Sequence, residues 1–164
     1  HWRTNYSSVA QLVDFCNTEG RKLIHISTDY IYSGTNELAK ETDVPVHCAN
    51  WYGYTKLLSD GYVQLKANDY LLIRTSFKKR PFTHPSAVIQ DGNFDYVDKI
   101  AQLIIKLIQK EATGIFNVGT KTKSMFDLAE KTKPGVGITE KPIHPTMPRN
   151  ITMDITKMKK KLAN

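Results

Sequence analysis

Two short stretches, Leu23-Ile24-His25-Ile26-Ser27 and Tyr70-Leu71-Leu72-Ile73-Arg74, carry apolar residues at consecutive rather than alternate positions. A strand with one face in water alternates, whereas a strand covered on both faces does not. Each stretch follows a segment of helical period, and that order fits an α/β protein with a parallel sheet. The first helical segment is 8–19, with Val9, Leu12, Val13 and Cys16 on one face, Ser7 or Ser8 able to cap its start and Gly20 placed for a C-cap. Residues 33–49, with Gly34, Asn36, Asp43 and Pro45, read as a loop, and 51–67 as a second helix.

Past Thr75 the pattern changes. Residues 76–93 contain two prolines and the basic cluster Lys78-Lys79-Arg80, and read as a loop region. Residues 94–110 predict the strongest helix, with Val97, Ile100, Ala101, Ile104 and Ile108 on one face. A third strand follows at 115–118. Ser124 caps a short helix, 125–132, which Pro134 and Gly135 stop. An extended piece near 136–143 and a last helix near 154–162 complete the chain.

Some classes are excluded by composition. Of 164 residues, 40% are hydrophobic and 24% charged, the balance of a globular chain with a core. No apolar run approaches the roughly 18 residues of a membrane helix, so no membrane partner is expected. The net charge is +7, but its densest run, Lys157 and Lys159–Lys161, reads as a solvated helix face, and no nucleic-acid motif accompanies it. Cys16 and Cys48 form no CxxC pair, so no metal site is expected and a reducing, cytoplasmic setting is the default. Cys16 is expected buried on its helix, His25 packed within its strand, and His84 and His144 solvated in loops.

Chemistry enters at Tyr52 and Lys56. Four residues apart on a helix, they share a face about 5–6 Å apart at Cβ. An ammonium beside a phenol favours the phenolate, lowering a pKa of about 10 when unperturbed. Alone, this spacing is a common amphipathic pattern. The first buried strand, however, ends in Ser27-Thr28-Asp29-Tyr30, and ligands in open α/β sheets bind at the carboxyl ends of strands. A Thr28 hydroxyl there can hold a carbonyl oxygen while Tyr52 passes it a proton.

Taken together, these motifs resemble the extended short-chain dehydrogenases. They are His25-Ile26-Ser27-Thr28-Asp29-Tyr30-Ile31-Tyr32-Ser33-Gly34, Tyr52-Gly53-Tyr54-Thr55-Lys56-Leu57 and Leu72-Ile73-Arg74-Thr75-Ser76-Phe77. Within that superfamily the chain resembles most the dTDP-4-dehydrorhamnose reductases, whose C-terminal pattern is similar to Gly114-Ile115-Phe116-Asn117-Val118-Gly119-Thr120 and Ser124-Met125-Phe126-Asp127-Leu128-Ala129. The resemblance implies the C-terminal part of a Rossmann-like doubly wound parallel sheet plus a small mixed α/β substrate-binding lobe. Residues 1–75 would be the second half of the NAD(P)-binding domain. Residues 76–164 would be mostly the substrate lobe, with 94–110 and 114–118 returning to the sheet.

The same resemblance implies reduction of the 4-keto group of a nucleotide-linked 6-deoxy-hexulose by NADPH or NADH. Thr28, Tyr52 and Lys56 would be the catalytic group, Lys56 also holding the nicotinamide ribose. Ser27, Arg74, Thr75 and Ser76 would lie at the cofactor. Asp29, Tyr30, Phe77, Lys79, Arg80 and Arg149 would face the nucleotide sugar, and Lys78 could join the cluster at a substrate diphosphate. Asn5 stands where many relatives carry an asparagine. Phe77 takes a place where the reductases often have tryptophan. Tyr30 follows Asp29 where related dehydratases have the glutamate for water elimination, which argues for carbonyl reduction. The alternatives are a sugar epimerase, or a non-catalytic module of the same fold that binds a nucleotide sugar or a protein.

The glycine-rich turn that cradles the cofactor pyrophosphate in this family is absent from the 164 residues. With no starting methionine, the expectation is a piece of a longer protein, lacking roughly the first 80 residues of that fold. Such a piece would expose a sheet edge and apolar surface on both faces, form a homodimer or be marginally stable, and bind NAD(P)H weakly.

Overall fold

In a computed structural model, residues 1–32, 37–43, 50–141 and 145–163 are described. The expected turn residues Gly34, Asn36 and Pro45, together with Cys48 and His144, lie outside the described residues. A π-type turn, Trp2–Ser7, leads into α1 (Ser8–Thr18), then β1 (Leu23–Thr28) and a 3-10 turn, Asp29–Tyr32. Next come α2 (Trp51–Lys66), β2 (Tyr70–Thr75), β3 (Phe77–Lys78), β4 (Ser86–Val88), β5 (Asp91–Gly92) and β6 (Asp95–Tyr96). Then follow α3 (Val97–Gln109), β7 (Gly114–Asn117), β8 (Lys123–Ser124), α4 (Met125–Glu130), β9 (Gly137–Thr139), β10 (Asn150–Ile151) and α5 (Thr156–Ala163).

The main sheet is parallel, in the order β1-β2-β7, with Thr28 beside Thr75 and Ile73 beside Phe116. Strand 114–117 therefore stands in the main sheet, as its apolar pattern suggests. Leu71, Ile73 and Phe116 pack on one face with Ile100 and Leu107 of α3 and Met158 of α5. Leu23 and Leu72 pack on the other with Val9, Val13 and Val63 of α1 and α2. Layers on both sides explain the unbroken apolar run of β2. A second core of Phe82, Phe94, Met125, Leu128 and Ile151 gathers the short strands around α4.

Several expectations need correction. β1 is an edge strand among the described residues, and α3 covers β2 and β7 rather than β1, so Ile24 and Ile26 are exposed. The uncovered apolar surface is thus on one face only, because α1 and α2 close the other. Neither Ser7 nor Ser8 caps α1, since winding begins at Trp2 and the Ser8 hydroxyl donates back to the Thr4 carbonyl. Cys16 is half-buried. The stretch 76–93 is not a plain loop but holds β3, β4 and β5. α3 starts at Val97 because Asp95 and Tyr96 pair with β3, and its buried line is Ile100 and Leu107, leaving Val97 and Ile108 exposed.

Other features follow local chemistry. Gly20 adopts φ +59°, and the Arg21 amide donates to the Cys16 carbonyl, closing α1 in a Schellman-type cap. Ser124 and Asp127 exchange hydrogen bonds as a capping box at α4. Lys157, Lys159 and Lys160 lie on the exposed face of α5. Among the described residues no helix is long and apolar enough to cross a membrane, and no cluster of metal-ligating side chains occurs.

Candidate active site

The carboxyl end of β1 meets the start of α2. Asn50 caps α2, its side-chain oxygen accepting from the Gly53 amide at 2.8 Å. A Cβ at Gly53 would stand 3.2 Å from the Tyr30 carbonyl oxygen, a tight contact that the glycine avoids as the helix lies against the turn after β1. That approach brings Tyr52 near Thr28, close enough for the Thr28 hydroxyl to act on the phenol. Asn5 donates to the Thr55 hydroxyl at 3.0 Å and fixes the N-terminal turn against the same helix. Three groups on elements distant in sequence are thereby assembled from one close contact and two polar clasps.

Lys56 is 8% exposed, and its Nζ donates to the Ile26 carbonyl at 2.7 Å. Burial lowers its pKa, while Asp60 opposes the shift. Tyr52 remains 39% exposed at the cleft. Its hydroxyl pKa is raised, not lowered: burial is the largest cause, the nearby Thr28 hydroxyl opposes it, and the charges of Asp29 and Asp60 add to it. The expectation that Lys56 loosens this proton is not met in this arrangement, because the ammonium is held by the Ile26 carbonyl of β1.

A cleft of about 850 Å³ opens beside Tyr52. Tyr30, Asn50, Trp51 and Tyr52 line it from the sheet side, and Lys78, Phe82, Ser86, Val88, Met125 and Thr139 from the second core. Thr28 and Asp29 are buried at the strand end. Asp29 has no exposure, and burial lifts its carboxyl to about 7, against the pull of Lys78 and of the Thr28 hydroxyl. The Lys78 ammonium is in turn lowered by burial and raised by Asp29. The Ser27 and Thr75 hydroxyls are buried at adjoining strand ends without a hydrogen-bond partner among the described residues.

The remaining expected residues divide. Tyr30 faces the cleft, its hydroxyl accepting from Gln90 at 3.4 Å. Ser76 is half-buried just past β2, and Phe77 is exposed. Arg74 turns away: its Nε donates to Asp60 at 3.2 Å, and its Nη1 to the Tyr32 hydroxyl at 2.7 Å and the Glu41 carbonyl at 3.1 Å. Lys79, Arg80 and Arg149 are exposed and do not line the cleft, Arg80 being paired with Asp98 at 2.9 Å. Of the basic cluster only Lys78 reaches the cleft wall. The two-residue strand Phe77–Lys78 is too short to show alternation, so no sequence signal separates Lys78 from its neighbours. His25, as expected, is packed inside, with Nε2 3.3 Å from Ser59 Oγ and 3.4 Å from Asp60 Oδ1.

The family model described as the RmlD substrate binding domain matches residues 2–78. The chain is 25% identical over 147 residues to the dTDP-4-keto-6-deoxy-D-glucose reductase of Streptomyces niveus, covering 78% of this chain and 51% of that one. It is 35% identical over 74 residues to the dTDP-4-dehydrorhamnose reductase of Salmonella typhimurium, covering 44% of this chain and 24% of that one. The crystal structure of dTDP-4-dehydrorhamnose reductase from Bacillus anthracis in complex with NADP superposes with a TM-score of 0.78 at 23% identity, over 94% of this chain and 63% of that one. The chain spans about half the length of the Streptomyces relative, and its fold is the Rossmann-like α/β fold of these reductases.

Proposed function

We propose that this homologue of the dTDP-4-dehydrorhamnose reductases supplies the proton-donating and sugar-facing part of a nucleotide-sugar ketoreductase, which reduces the 4-keto group of a nucleotide-linked 6-deoxy-hexulose with NADPH or NADH. What supports this reading is that Tyr52 lines a cleft beside the carboxyl end of a parallel strand, where Thr28 is buried. Residues 1–75 would belong to the cofactor-binding half, and the short strands around α4 to the substrate lobe.

The residues present suit the nicotinamide and ribose end of a cofactor. Lys56 and Tyr52 stand at the strand end as hydroxyl partners for a ribose, and the unpartnered hydroxyls of Ser27 and Thr75 are donors and acceptors for an amide. When bound, the nicotinamide would supply the hydride. Thr28 and Tyr52 would both direct hydroxyl groups at the keto oxygen, and Tyr52 would deliver its proton as negative charge builds there. A raised phenol pKa keeps that proton in place until an acceptor of rising basicity arrives. The aromatic and apolar wall of Tyr30, Phe82, Val88 and Met125 would exclude water from the sugar.

Tyr52→Phe tests this reading through the reduction of dTDP-4-keto-6-deoxy-glucose with NADPH. The rate is expected to fall by about 10²–10⁴-fold, and an unchanged rate defeats the assignment. A second reading, a non-catalytic module that binds a nucleotide sugar, draws support from Lys56 being engaged by Ile26 rather than acting on the phenol. It requires sugar-nucleotide binding without any turnover.

A further inference from the structure

One buried side chain joins the two walls of the cleft. Gln90, between β4 and β5, is 1% exposed. Its Nε2 donates to the Pro148 carbonyl at 2.8 Å and to the Tyr30 hydroxyl at 3.4 Å. Tyr30 lines the cleft on the sheet side, its ring edge-on to Tyr52 with 6.2 Å between centroids. Thr146 and Met147, just before Pro148, line it on the side of the short strands. The backbone around Gln90 holds that second wall as well. Its carbonyl accepts from the amide of Met125, another lining residue, at 2.9 Å, and the Asp91 amide donates to the Arg149 carbonyl at 2.8 Å.

The arrangement calls for a primary carboxamide. A carbonyl only accepts, so a donor must face Pro148, and one NH2 group has two hydrogens with which to serve Pro148 and Tyr30 together. Turning the amide over would set Oε1 against the Pro148 carbonyl, acceptor against acceptor. In the orientation adopted, Oε1 has no hydrogen-bond partner among the described residues. A buried acceptor is thus left unsatisfied while both donors stay engaged, although a methionine of the same length would meet the needs of packing.

We propose that Gln90 is a positioning residue for the nucleotide-linked sugar: its carboxamide ties Tyr30 to the 146–149 segment and so fixes the width of the cleft. This rests on the reading of the cleft given above and adds to it the residue that sets the sugar site. Tyr52 and Thr28 are placed by α2 and β1, to which Gln90 makes no hydrogen bond among the described residues. The fit of the sugar and the delivery of the proton are therefore set by separate contacts.

Gln90→Met keeps the length of the side chain and removes both bonds. In the reduction of dTDP-4-keto-6-deoxy-glucose by the full chain, its KM for the sugar nucleotide is expected to rise about 10-fold, with kcat and the KM for NADPH little changed. Gln90→Asn keeps the carboxamide but is one methylene too short to reach both acceptors, and should show the same split. Tyr30→Phe removes the phenol end of the tie, and its effect on KM should not multiply with that of Gln90→Met in the double variant. A kcat that falls in step with KM, an equal rise in the KM for NADPH, or fully multiplicative effects overturn the proposal. A second readout needs no substrate: amide hydrogen exchange at Asp91 should quicken about 10-fold in Gln90→Met while that at Leu72 in β2 is unchanged, and an unaltered Asp91 amide also overturns it. A chain whose Asp91 amide responds but which reduces no keto-sugar refutes the reaction, and with it the use of the tie for a sugar, and leaves the tie itself standing.

Discussion

Arg74 was expected beside a cofactor and instead lies 4% exposed under α2, paired with a wholly buried Asp60. Arg74→Met would remove a charge-assisted bond to Asp60 at 3.2 Å, a bond to Tyr32 at 2.7 Å and one to the Glu41 carbonyl at 3.1 Å. The larger effect is on what stays behind. Asp60 would keep His25 at 3.4 Å, but its Oδ1 already lacks a hydrogen-bond partner, so a carboxylate would stand in a dry interior without its guanidinium. Stranding one member of a buried pair costs about 3–5 kcal/mol. With a urea slope of about 1–3 kcal/mol/M, the unfolding midpoint should drop by roughly 2 M. The double variant Arg74→Met with Asp60→Leu removes both charges and should recover most of that loss. Urea unfolding of the wild type, each single variant and the double variant closes the cycle. An Arg74→Met protein within about 1 kcal/mol of wild type, weakened only in nicotinamide binding, would refute this account and restore the expectation drawn from sequence.

Two further outcomes concern stability. Because the folded-state pKa of Asp29 is raised from 3.8 to about 7, its contribution is fully present below the lower value and is lost as pH rises through the upper one. The whole window is worth about 4 kcal/mol, so the stability difference between Asp29→Asn and wild type should grow in the variant's favour up to neutral pH and then level off. A constant difference in urea unfolding across that range would contradict it. At Gly119 an added Cβ would lie 2.4 Å from the Asn93 carbonyl oxygen, whereas at Gly61, inside α2, it meets nothing within 4 Å. Gly119→Ala should cost about 1–3 kcal/mol and Gly61→Ala should gain about 0.5–1 kcal/mol, both read as shifts in melting temperature. Equal effects would show that this close approach relaxes freely.

What could be read from the sequence was what neighbours along the chain decide. β1 and β2 follow from apolar runs, the Gly20 and Ser124 caps from single residues, and the Tyr52–Lys56 spacing from one helical turn. The fate of the ammonium was not legible, because the Ile26 carbonyl that holds it lies 30 residues away. Arg74 was misplaced for the same reason: its partner Asp60 sits on another element, and an arginine at a strand end looks the same whether it faces in or out. Phe77–Lys78 is too short to show alternation against a proline-rich background, so Lys78 could not be told from Lys79 and Arg80. Its direction comes from the pairing of β3 with β6.

The pairing of β1 with β2 runs without a break from Leu23 beside Tyr70 to Thr28 beside Thr75. A slip of one residue would turn Leu23 out of its packing, displace Thr28 by about 3.3 Å and send its side chain to the opposite face. The ladder therefore acts as a gauge for the cleft. A substitution buried deep in the sheet, remote from any reactant, can silence the chemistry by misaligning the two strands while leaving the molecule folded.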